Sequence, residues 1–428
     1  MNIVVLTASS PQKSSGIIAI DLMNGFLNNG HYCVIITNYY VKTNNRNIIP
    51  IKNYFQGILA KLYRFIYKKK NKILNKFNNL YYIQDINQTK SNSFLKKILK
   101  ILPFKPDAFI YLFPQYFLNA RDLYLLNKQT NAPVLWYMMD MLSITGGCHY
   151  AWDCKGYTKS CGKCPALLSN DPFDQTFRNL DFKKKYVDKA NIIPIAASEW
   201  QLRQLKESSL FQNKKKFKIL SPTDDIKFIK NDKKNARKKL NLPLEKKIIF
   251  FGAVNPHEKR KGFIQLIETI NILFNEISIE LRNNILILIA GVLNTELKNM
   301  IPFETNHLGY LNHDNLAVAY QAADLYLNAS IEDSGPTMIN QSIMSGTPVV
   351  AFEMGVAPDL IKAGLTGYIA KLRDTHDLAK GVNSILSLSD NEYENISNNC
   401  RDLAVSNFSL KIVCEEFQNL IMANRENE

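Results

Sequence analysis

The sequence predicts an α/β protein with two doubly wound domains, each built on a parallel sheet. With 428 residues the chain is too long for one ordinary core, because single domains usually hold about 100–200 residues. Hydrophobic residues make up 46% of the chain, as in globular proteins. Apolar runs of strand length alternate with helical patterns in two successive series, and this alternation is typical of parallel sheets with crossover helices.

The first series begins at the N-terminus. Residues 2–6 are a predicted buried strand, residues 17–27 a helix and residues 33–37 a second strand. Later strands of the same sheet are predicted at residues 108–111, 134–138 and 192–197. The last of these contains Pro194, which cannot donate to a ladder, so this strand should be short or lie at an edge. We assign residues 1–215 to this domain.

The second series starts near Phe217 and predicts a second domain over residues 216–410. Helices are predicted at residues 235–240 and 264–274. Strands are predicted at residues 248–251, 285–290, 307–308, 325–328 and 349–352, after a short extended segment at 218–220. Doubly wound folds bind ligands at the carboxyl ends of their strands. We therefore expect a site there, in a cleft between the domains.

The chain is strongly basic, with a net charge of +15. This favours nucleic acid, an anionic membrane surface or phosphorylated ligands as partners, although a sequence rich in Lys, Asn and Ile is also what AT-biased genomes produce. Residues 57–79 and 94–102 mix apolar and Lys-rich positions. They are either cationic amphipathic helices on a membrane surface or surface helices packed on their own sheet. No secretory signal or membrane-spanning run is present in the sequence, so we expect a cytoplasmic protein, peripheral on the inner face of the plasma membrane.

The pattern of residues 330–348 predicts the end of a strand, then a loop, then a helix that ends near Gly346. A helix N-terminus directs free amides outward and suits a diphosphate, and carboxylates ahead of it can bind sugar hydroxyls. The residues concerned are Glu332 and Asp333 in the loop, Ser334 or Gly335 as the cap, Pro336 at the first helical position, and Thr337 and Met338 in the first turn.

The same segment resembles the donor-site motif of the family 4 glycosyltransferases, whose GT-B fold has two Rossmann-like domains facing a cleft. In that motif an acidic residue is followed eight positions later by Glu, and then by a Gly-x-Pro turn. With the turn at residues 346–348, Asp333 takes the first position and Gln341 the second. The resemblance implies that Asp333, or Glu332 beside it, contacts the donor sugar and that Gln341 hydrogen-bonds the ribose.

Residues 251–263 are similar to the loop with which the same family presents basic side chains to the diphosphate. Lys261 precedes the glycine at the helix start, as in the family, but Ala253 stands where the family often has Arg. We expect Arg260 or Lys259 to supply that charge. Fixed cations at this place would stabilise the leaving diphosphate without a metal.

Residues 139–165 are similar to a subgroup of this family found in bacterial exopolysaccharide and O-antigen gene clusters. Met139 replaces a His that the subgroup commonly has before Asp140. The resemblance implies an acceptor-side role for Asp140, and a retaining transfer in which the leaving phosphate takes the acceptor proton does not need that His. In the first strand-helix loop, Gly16 matches a family glycine that lets the donor diphosphate or the acceptor approach the backbone.

The seven cysteines fall into two groups. Three lie in apolar patterns and are predicted core residues: Cys33, Cys400 and Cys414. The other four are a candidate structural zinc site, or else four free thiols: Cys148, Cys154, Cys161 and Cys164. The x2 spacing of the last pair is usual for zinc, whereas the x5 spacing of the first pair is looser. His149 is a competing ligand or an acceptor-side residue.

The resemblance implies an enzyme that moves a hexose-type sugar from a UDP- or GDP-sugar to an oligosaccharide or lipid-linked acceptor, without a metal cofactor for catalysis. Residues 216–410 would bind the donor and residues 1–215 the acceptor, with the helix at 411–428 packing back on the first domain. A sugar-nucleotide-binding protein without catalysis is the first alternative. A nucleic-acid-binding protein ranks below it, because that function would leave the segments at 251–263 and 330–348 unexplained.

Overall fold

The computed structural model describes residues 1–11, 16–52, 59, 77–83, 86–90, 94–253, 258–293, 298–335 and 337–425. The chain divides into two compact units. Unit 1 comprises Met1–Pro222 and Leu410–Glu428, and unit 2 comprises Thr223–Ser409.

Unit 1 is built on a seven-stranded sheet in the order β3-β2-β1-β4-β5-β6-β7, with all neighbouring strands parallel. Its strands are β1 (Asn2–Thr7), β2 (Tyr32–Thr37), β3 (Ile48–Pro50), β4 (Ala108–Leu112), β5 (Val134–Met138), β6 (Ile192–Ala196) and β7 (Phe217–Lys218). The strand with Pro194 is short, at five residues, and does not lie at an edge, since β6 is paired on both sides.

The helices of unit 1 alternate with its strands, as the sequence predicts. Those that the structure describes are α1 (Ile17–Asn28), α2 (Phe94–Ile101), α3 (Ala120–Thr130), α4 (Gln175–Val187), α5 (Glu199–Glu207) and the C-terminal helix α14 (Leu410–Arg425). The last one packs along α1, where the rings of Phe26 and Phe417 meet edge to face at 6.4 Å. The three cysteines predicted to be core residues are buried, Cys33 and Cys414 in unit 1 and Cys400 in unit 2.

The two basic-apolar segments have different outcomes. The predicted helix over residues 57–79 lies mostly outside the described residues, and Asn79–Tyr81 at its end forms a 3-10 helix. In α2, Leu95 and Ile98 are buried in the core of unit 1. For this second segment the apolar stripe therefore packs on its own sheet. Within the described residues, no helix combines the length and apolarity that a membrane crossing requires.

Unit 2 is built on a six-stranded parallel sheet in the order β10-β9-β8-β11-β12-β13. Its strands are β8 (Lys247–Ala253), β9 (Ile285–Gly291), β10 (Glu304–Gly309), β11 (Leu325–Asn328), β12 (Val349–Phe352) and β13 (Gly367–Ala370). Its described helices are α6 (Lys233–Lys239), α7 (Phe263–Glu276), α8 (Ile279–Asn283), α9 (His313–Ala322), α10 (Thr337–Met344), α11 (Ala357–Leu360), α12 (Thr375–Leu386) and α13 (Asp390–Phe408). The predicted fold class, two parallel-sheet Rossmann-like domains, is confirmed.

A buried ion cluster ties the amino ends of two central strands of unit 2. Asp324 precedes β11, and its carboxylate accepts hydrogen bonds from the Ile248 amide at 2.6 Å, from Arg237 at 2.8 Å and from Lys233 at 2.7 Å. The Asp324 and Arg237 side chains are 8% and 5% exposed, so water screens their interaction weakly. Loss of the carboxylate would leave a buried guanidinium without its counter-charge.

We expect Asp324→Ala to lower the free energy of unfolding by about 3–5 kcal/mol, as for other buried ion pairs that lose one partner. Urea denaturation of the purified chain measures this. Asp314→Ala is the matched control, because the Asp314 carboxylate is 77% exposed beside Lys227 and should cost less than about 1 kcal/mol. Equal losses in the two variants would contradict the structural role of the cluster.

Candidate functional site

The site of unit 2 lies where the adjacent strands β8 and β11 end. The loop after β8 finishes in a 3-10 turn, Lys259–Lys261, and Gly262 then leads into α7. The loop after β11 runs from Ala329 to Gly335, and α10 follows it from Thr337. Both loops are at the carboxyl edge of a parallel sheet, where doubly wound folds bind their ligands.

The two loops are held together through their backbones. The amides of Ile331 and Glu332 donate to the carbonyl oxygen of Arg260 at 2.8 and 3.2 Å. Gly262 has a φ of +65°, and a Cβ atom added to it would lie 1.7 Å from the carbonyl oxygen of Ala329. A residue with a side chain cannot take this place without moving one loop away from the other.

Asp333 is the centre of charge of the site. Its Oδ2 contacts both Arg260 and Lys261 at 2.6 Å. Its Oδ1 accepts hydrogen bonds from the amides of Ser334 at 2.9 Å and Gly335 at 3.4 Å. Burial alone would raise the pKa of Asp333, but the two cations and these amides outweigh it and hold the pKa well below its usual range. The carboxylate is therefore ionised throughout the physiological pH range.

The structure thus brings Asp333, Arg260 and Lys261 into direct contact. Glu332 beside them is buried, whereas Lys259 is exposed to solvent. Arg260 and Lys259 are the candidates for the positive charge that the family often places at the position of Ala253. Arg260 is the one that contacts the carboxylate of Asp333, the predicted sugar contact.

The start of α10 is described in part. The helix is described from Thr337, and Pro336 before it lies outside the described residues, so the predicted cap stays a prediction. The amides of Ser334 and Gly335 bond the Asp333 carboxylate, so this side chain satisfies the turn that leads into the helix. Met338 lies close to Gly252 of β8, since a Cβ atom there would be 3.0 Å from the Met338 Cε.

Gln341, at the position of the second acidic residue of the resemblance, is buried. The Tyr320 hydroxyl donates to its Oε1 at 3.4 Å, a long hydrogen bond. In this arrangement the side-chain oxygen is engaged by α9 of the same unit.

The predicted residues of unit 1 are in two places. Gly16 caps the start of α1, and a Cβ atom on it would lie 2.0 Å from the carbonyl oxygen of Ser10. The glycine is therefore needed where its own loop folds back on itself. Asp140 is the second residue after β5 and caps a 3-10 turn, Met141–Ser143, through a 2.8 Å hydrogen bond from the Leu142 amide.

Asp140 also has a partner that the sequence did not reveal. Its Oδ2 lies 2.8 Å from Nδ1 of His149, and both side chains are buried. The amide of Gln115, from the loop after β4, lies 3.3 Å from the same Oδ2. Three residues from two loops, those after β4 and β5, therefore meet at the carboxyl ends of these strands. A sequence signal for His149 existed, namely a His in a motif between two strands, but nothing marked Gln115.

The four clustered cysteines line one cavity of unit 1, with Tyr81 and Thr176 among the other lining residues: Cys148, Cys154, Cys161 and Cys164. None of the four forms a disulfide with a cysteine that the structure describes. Burial raises the pKa of Cys148, and that of Cys161 to about 12, so both thiols are neutral at pH 7. Within the described ranges, no three His, Cys, Asp or Glu side chains are arranged so that they could hold a metal ion.

Comparison with known proteins assigns unit 2. Residues 232–403 match the family model described as "Glycosyl transferases group 1". Unit 2 carries a glycosyl transferases group 1 domain. The matched segment contains β8, β11 and both loops of the site, so Arg260, Lys261 and Asp333 all belong to the group 1 domain.

The other proteins that this chain resembles share little sequence with it. An uncharacterized glycosyltransferase of Methanocaldococcus jannaschii is 24% identical over 246 residues, which are 54% of this chain and 59% of that protein. The match therefore spans less than two thirds of the relative's length. Sucrose-phosphate synthase from Thermosynechococcus elongatus superposes with a TM-score of 0.69 at 16% identity over 100% of both chains. The Anabaena protein HepE in complex with UDP and glucose gives 0.63 at 14% identity over 99% of both. These two likenesses show a shared fold.

The close approach of the two loops of the group 1 domain gives a test. Gly262→Ala should cost more stability than Gly309→Ala, because both glycines have left-handed backbones but a Cβ atom on Gly309 meets nothing within 4 Å. The backbone alone costs about 1–2 kcal/mol in each variant. The clash at Gly262 adds about 1–3 kcal/mol. Urea denaturation compares the two variants, and equal midpoints would show that the loops do not need the glycine.

Proposed function

We propose that the protein transfers a glycosyl residue from a nucleotide sugar to a saccharide acceptor. The observation that carries this proposal is the convergence of Arg260 and Lys261 on Asp333, ahead of α10, within a glycosyl transferases group 1 domain. Two cations and a helix N-terminus suit a diphosphate, and acidic side chains beside them suit the hydroxyls of a sugar.

In this proposal the bond between the anomeric carbon and the distal phosphate oxygen breaks, and the acceptor oxygen bonds to the anomeric carbon. The leaving diphosphate gains negative charge as the bond breaks. Arg260 and Lys261 lie in a hydrogen-bonded backbone turn and would stabilise that charge without a metal ion. Retention of configuration is proposed too, with the acceptor proton passing to the leaving phosphate.

Asp333 has two proposed tasks. It holds Arg260 and Lys261 at 2.6 Å before the donor arrives, so these long side chains lose less conformational freedom when the diphosphate binds. Asp333 and the neighbouring Glu332 then offer carboxylate oxygens to hydroxyls of the donor sugar. Gln341 would reach the ribose after giving up its long bond to Tyr320.

For the substrates we propose a UDP- or GDP-sugar and an oligosaccharide acceptor, lipid-linked, in the synthesis of a bacterial surface polysaccharide. A UDP donor is supported by the similarity of fold to HepE, which was solved with UDP and glucose. The acceptor and an anionic membrane surface as partner are supported by the subgroup resemblance of residues 139–165 and by the +15 net charge. A protein that binds nucleotide sugars without turnover is the alternative.

The donor site is tested with Lys261→Ala. We expect the variant to bind UDP or GDP at least tenfold more weakly than the wild type and to release less nucleotide from a panel of UDP- and GDP-sugars. The reason is that the variant loses a charge-assisted contact to the diphosphate, which is worth about 1.5–3 kcal/mol. Thermal shift with each nucleoside diphosphate reports binding, and a coupled assay reports release.

Lys380→Ala is the matched control, since it removes the same charge from an exposed position on α12 of the same unit. The control should bind and turn over like the wild type. Unchanged affinity and turnover in Lys261→Ala would overturn the assignment of the diphosphate site. Binding without turnover of any nucleotide sugar by the wild type would favour the alternative function.

We also propose that the four-cysteine cavity holds a structural zinc ion. Four thiols on one cavity are the donor set of such sites. The thiols would have to draw together and lose their protons on binding, because no metal-holding group of three or more is formed by the residues that the structure describes. The ion would stabilise the segment from Cys148 to Cys164 and take no part in the transfer.

Elemental analysis of the purified chain tests this. We expect about one zinc per chain, its loss in Cys161→Ser, and no loss in Cys400→Ser, whose thiol is buried in unit 2. Thiol titration of the unfolded chain accompanies it. A chain that has all seven thiols reduced and contains no zinc, when purified from zinc-supplemented cells, would show four free thiols instead.

A further inference from the structure

His149 is held in one orientation by two neighbours. Its Nδ1 lies 2.8 Å from Oδ2 of Asp140, and the Gln115 amide nitrogen lies 3.3 Å from the same oxygen and 3.2 Å from Nδ1. A carboxylate oxygen is an acceptor, so Nδ1 carries the proton, and the Gln115 amide, also a donor, bonds to Asp140. In the neutral form of this ring the lone pair is therefore on Nε2.

The backbone around this pair is fixed as well. The Met141 amide donates to the carbonyl oxygen of His149 at 3.0 Å, and the His149 amide donates to the carbonyl oxygen of Tyr81 at 3.0 Å. The buried ammonium of Lys183 donates to the carbonyl oxygens of Leu142 at 2.5 Å and Thr145 at 2.8 Å. Several hydrogen bonds therefore hold the loop that carries the imidazole.

The other ring nitrogen of His149 makes no such bond within the described part of the chain. Nε2 of His149 is buried and has no hydrogen-bond partner among the residues that the structure describes. Two further buried polar atoms at the same edge of the sheet share this condition within the described chain, Oδ1 of Asn38 after β2 and Oγ of Ser143 after β5. Buried polar atoms are nearly always bonded, so unpaired ones at the ligand-binding edge of a parallel sheet point to a polar ligand.

We propose that Nε2 of His149 accepts a hydrogen bond from a hydroxyl group of the acceptor saccharide, with Asp140 and Gln115 as positioning residues. This inference rests on the proposed glycosyl transfer and adds the side chain of unit 1 that orients the attacking group. A neutral imidazole with its proton fixed on Nδ1 is an acceptor, and a saccharide hydroxyl is a donor. The burial of Nε2 keeps water from competing for the bond.

His149 also accounts for Met139, the residue that replaces a family His. An imidazole at position 139 is not required, because His149, ten residues later, is hydrogen-bonded to the carboxylate of Asp140.

His149→Asn separates the proposed role from a structural one. The Asn amide nitrogen occupies nearly the place of Nδ1, so the variant keeps a donor to Asp140 but loses Nε2. With UDP-sugars and GDP-sugars as donors and octyl glycosides as acceptors, we expect at least a tenfold loss of kcat/KM for the acceptor. The affinity for UDP or GDP should stay within twofold of the wild type. His376→Asn, at an imidazole that is 77% exposed in unit 2, is the matched control and should change neither.

Asp140→Asn tests the positioning role. It should lower transfer in the wild-type background and cause no further loss in the His149→Asn background, because Asp140 acts through Nε2; a residue that only holds the loop would give additive losses. Transfer by His149→Asn within twofold of the wild type would overturn this inference alone. A wild type that neither binds a nucleoside diphosphate nor turns over a nucleotide sugar would overturn the proposed function, and this inference with it.

Discussion

The site of unit 2 depends on one backbone contact, the approach of Gly262 to Ala329. Because Gly262 has no Cβ atom, the loop after β8 lies against the loop after β11. This proximity lets the Arg260 carbonyl oxygen accept two amides of the second loop, and it brings Arg260 and Lys261 to Asp333. On an open surface the same three charges would interact weakly in water. Backbone packing thus determines the electrostatics of the site.

The strands could be predicted from the sequence because parallel strands covered on both faces are continuous apolar runs. The prediction for β11 and β12 matches the structure to the residue. The strands Ile48–Pro50 and Gly367–Ala370 were not predicted, because each has only three or four residues and includes partly exposed positions. They are strands because they pair with β2 and β12. The pattern of α2 was ambiguous in another way, because a mixed Lys and apolar helix looks the same whether it covers a core or a membrane.

The site could be predicted less fully than the fold. The positions of Lys261 and Asp333 follow from their places after strands that turn out to be neighbours. Their direct contact does not follow, because a sequence gives the order of loops along the chain but not the distance between them. The same limit hid Gln115, which reaches Asp140 from the loop after the adjacent strand. Gln341 shows the converse case, since its place in the motif was evident while its buried bond to Tyr320 depends on tertiary packing.

A buried carboxylate with several hydrogen-bond donors lies at each edge of the unit 2 sheet. At the amino edge, the Asp324 carboxylate accepts hydrogen bonds from Lys233, from Arg237 and from the amide of Ile248 in β8. At the carboxyl end Asp333 is matched by two cations on a loop. A diphosphate that binds there competes with Asp333 for the two cations, and the Asp333 carboxylate then needs other donors, such as hydroxyl groups. A nucleotide sugar carries a diphosphate and hydroxyl groups in one molecule, whereas a free phosphate carries no hydroxyl groups of a sugar. The arrangement therefore favours ligands that join a diphosphate to a polyhydroxyl group.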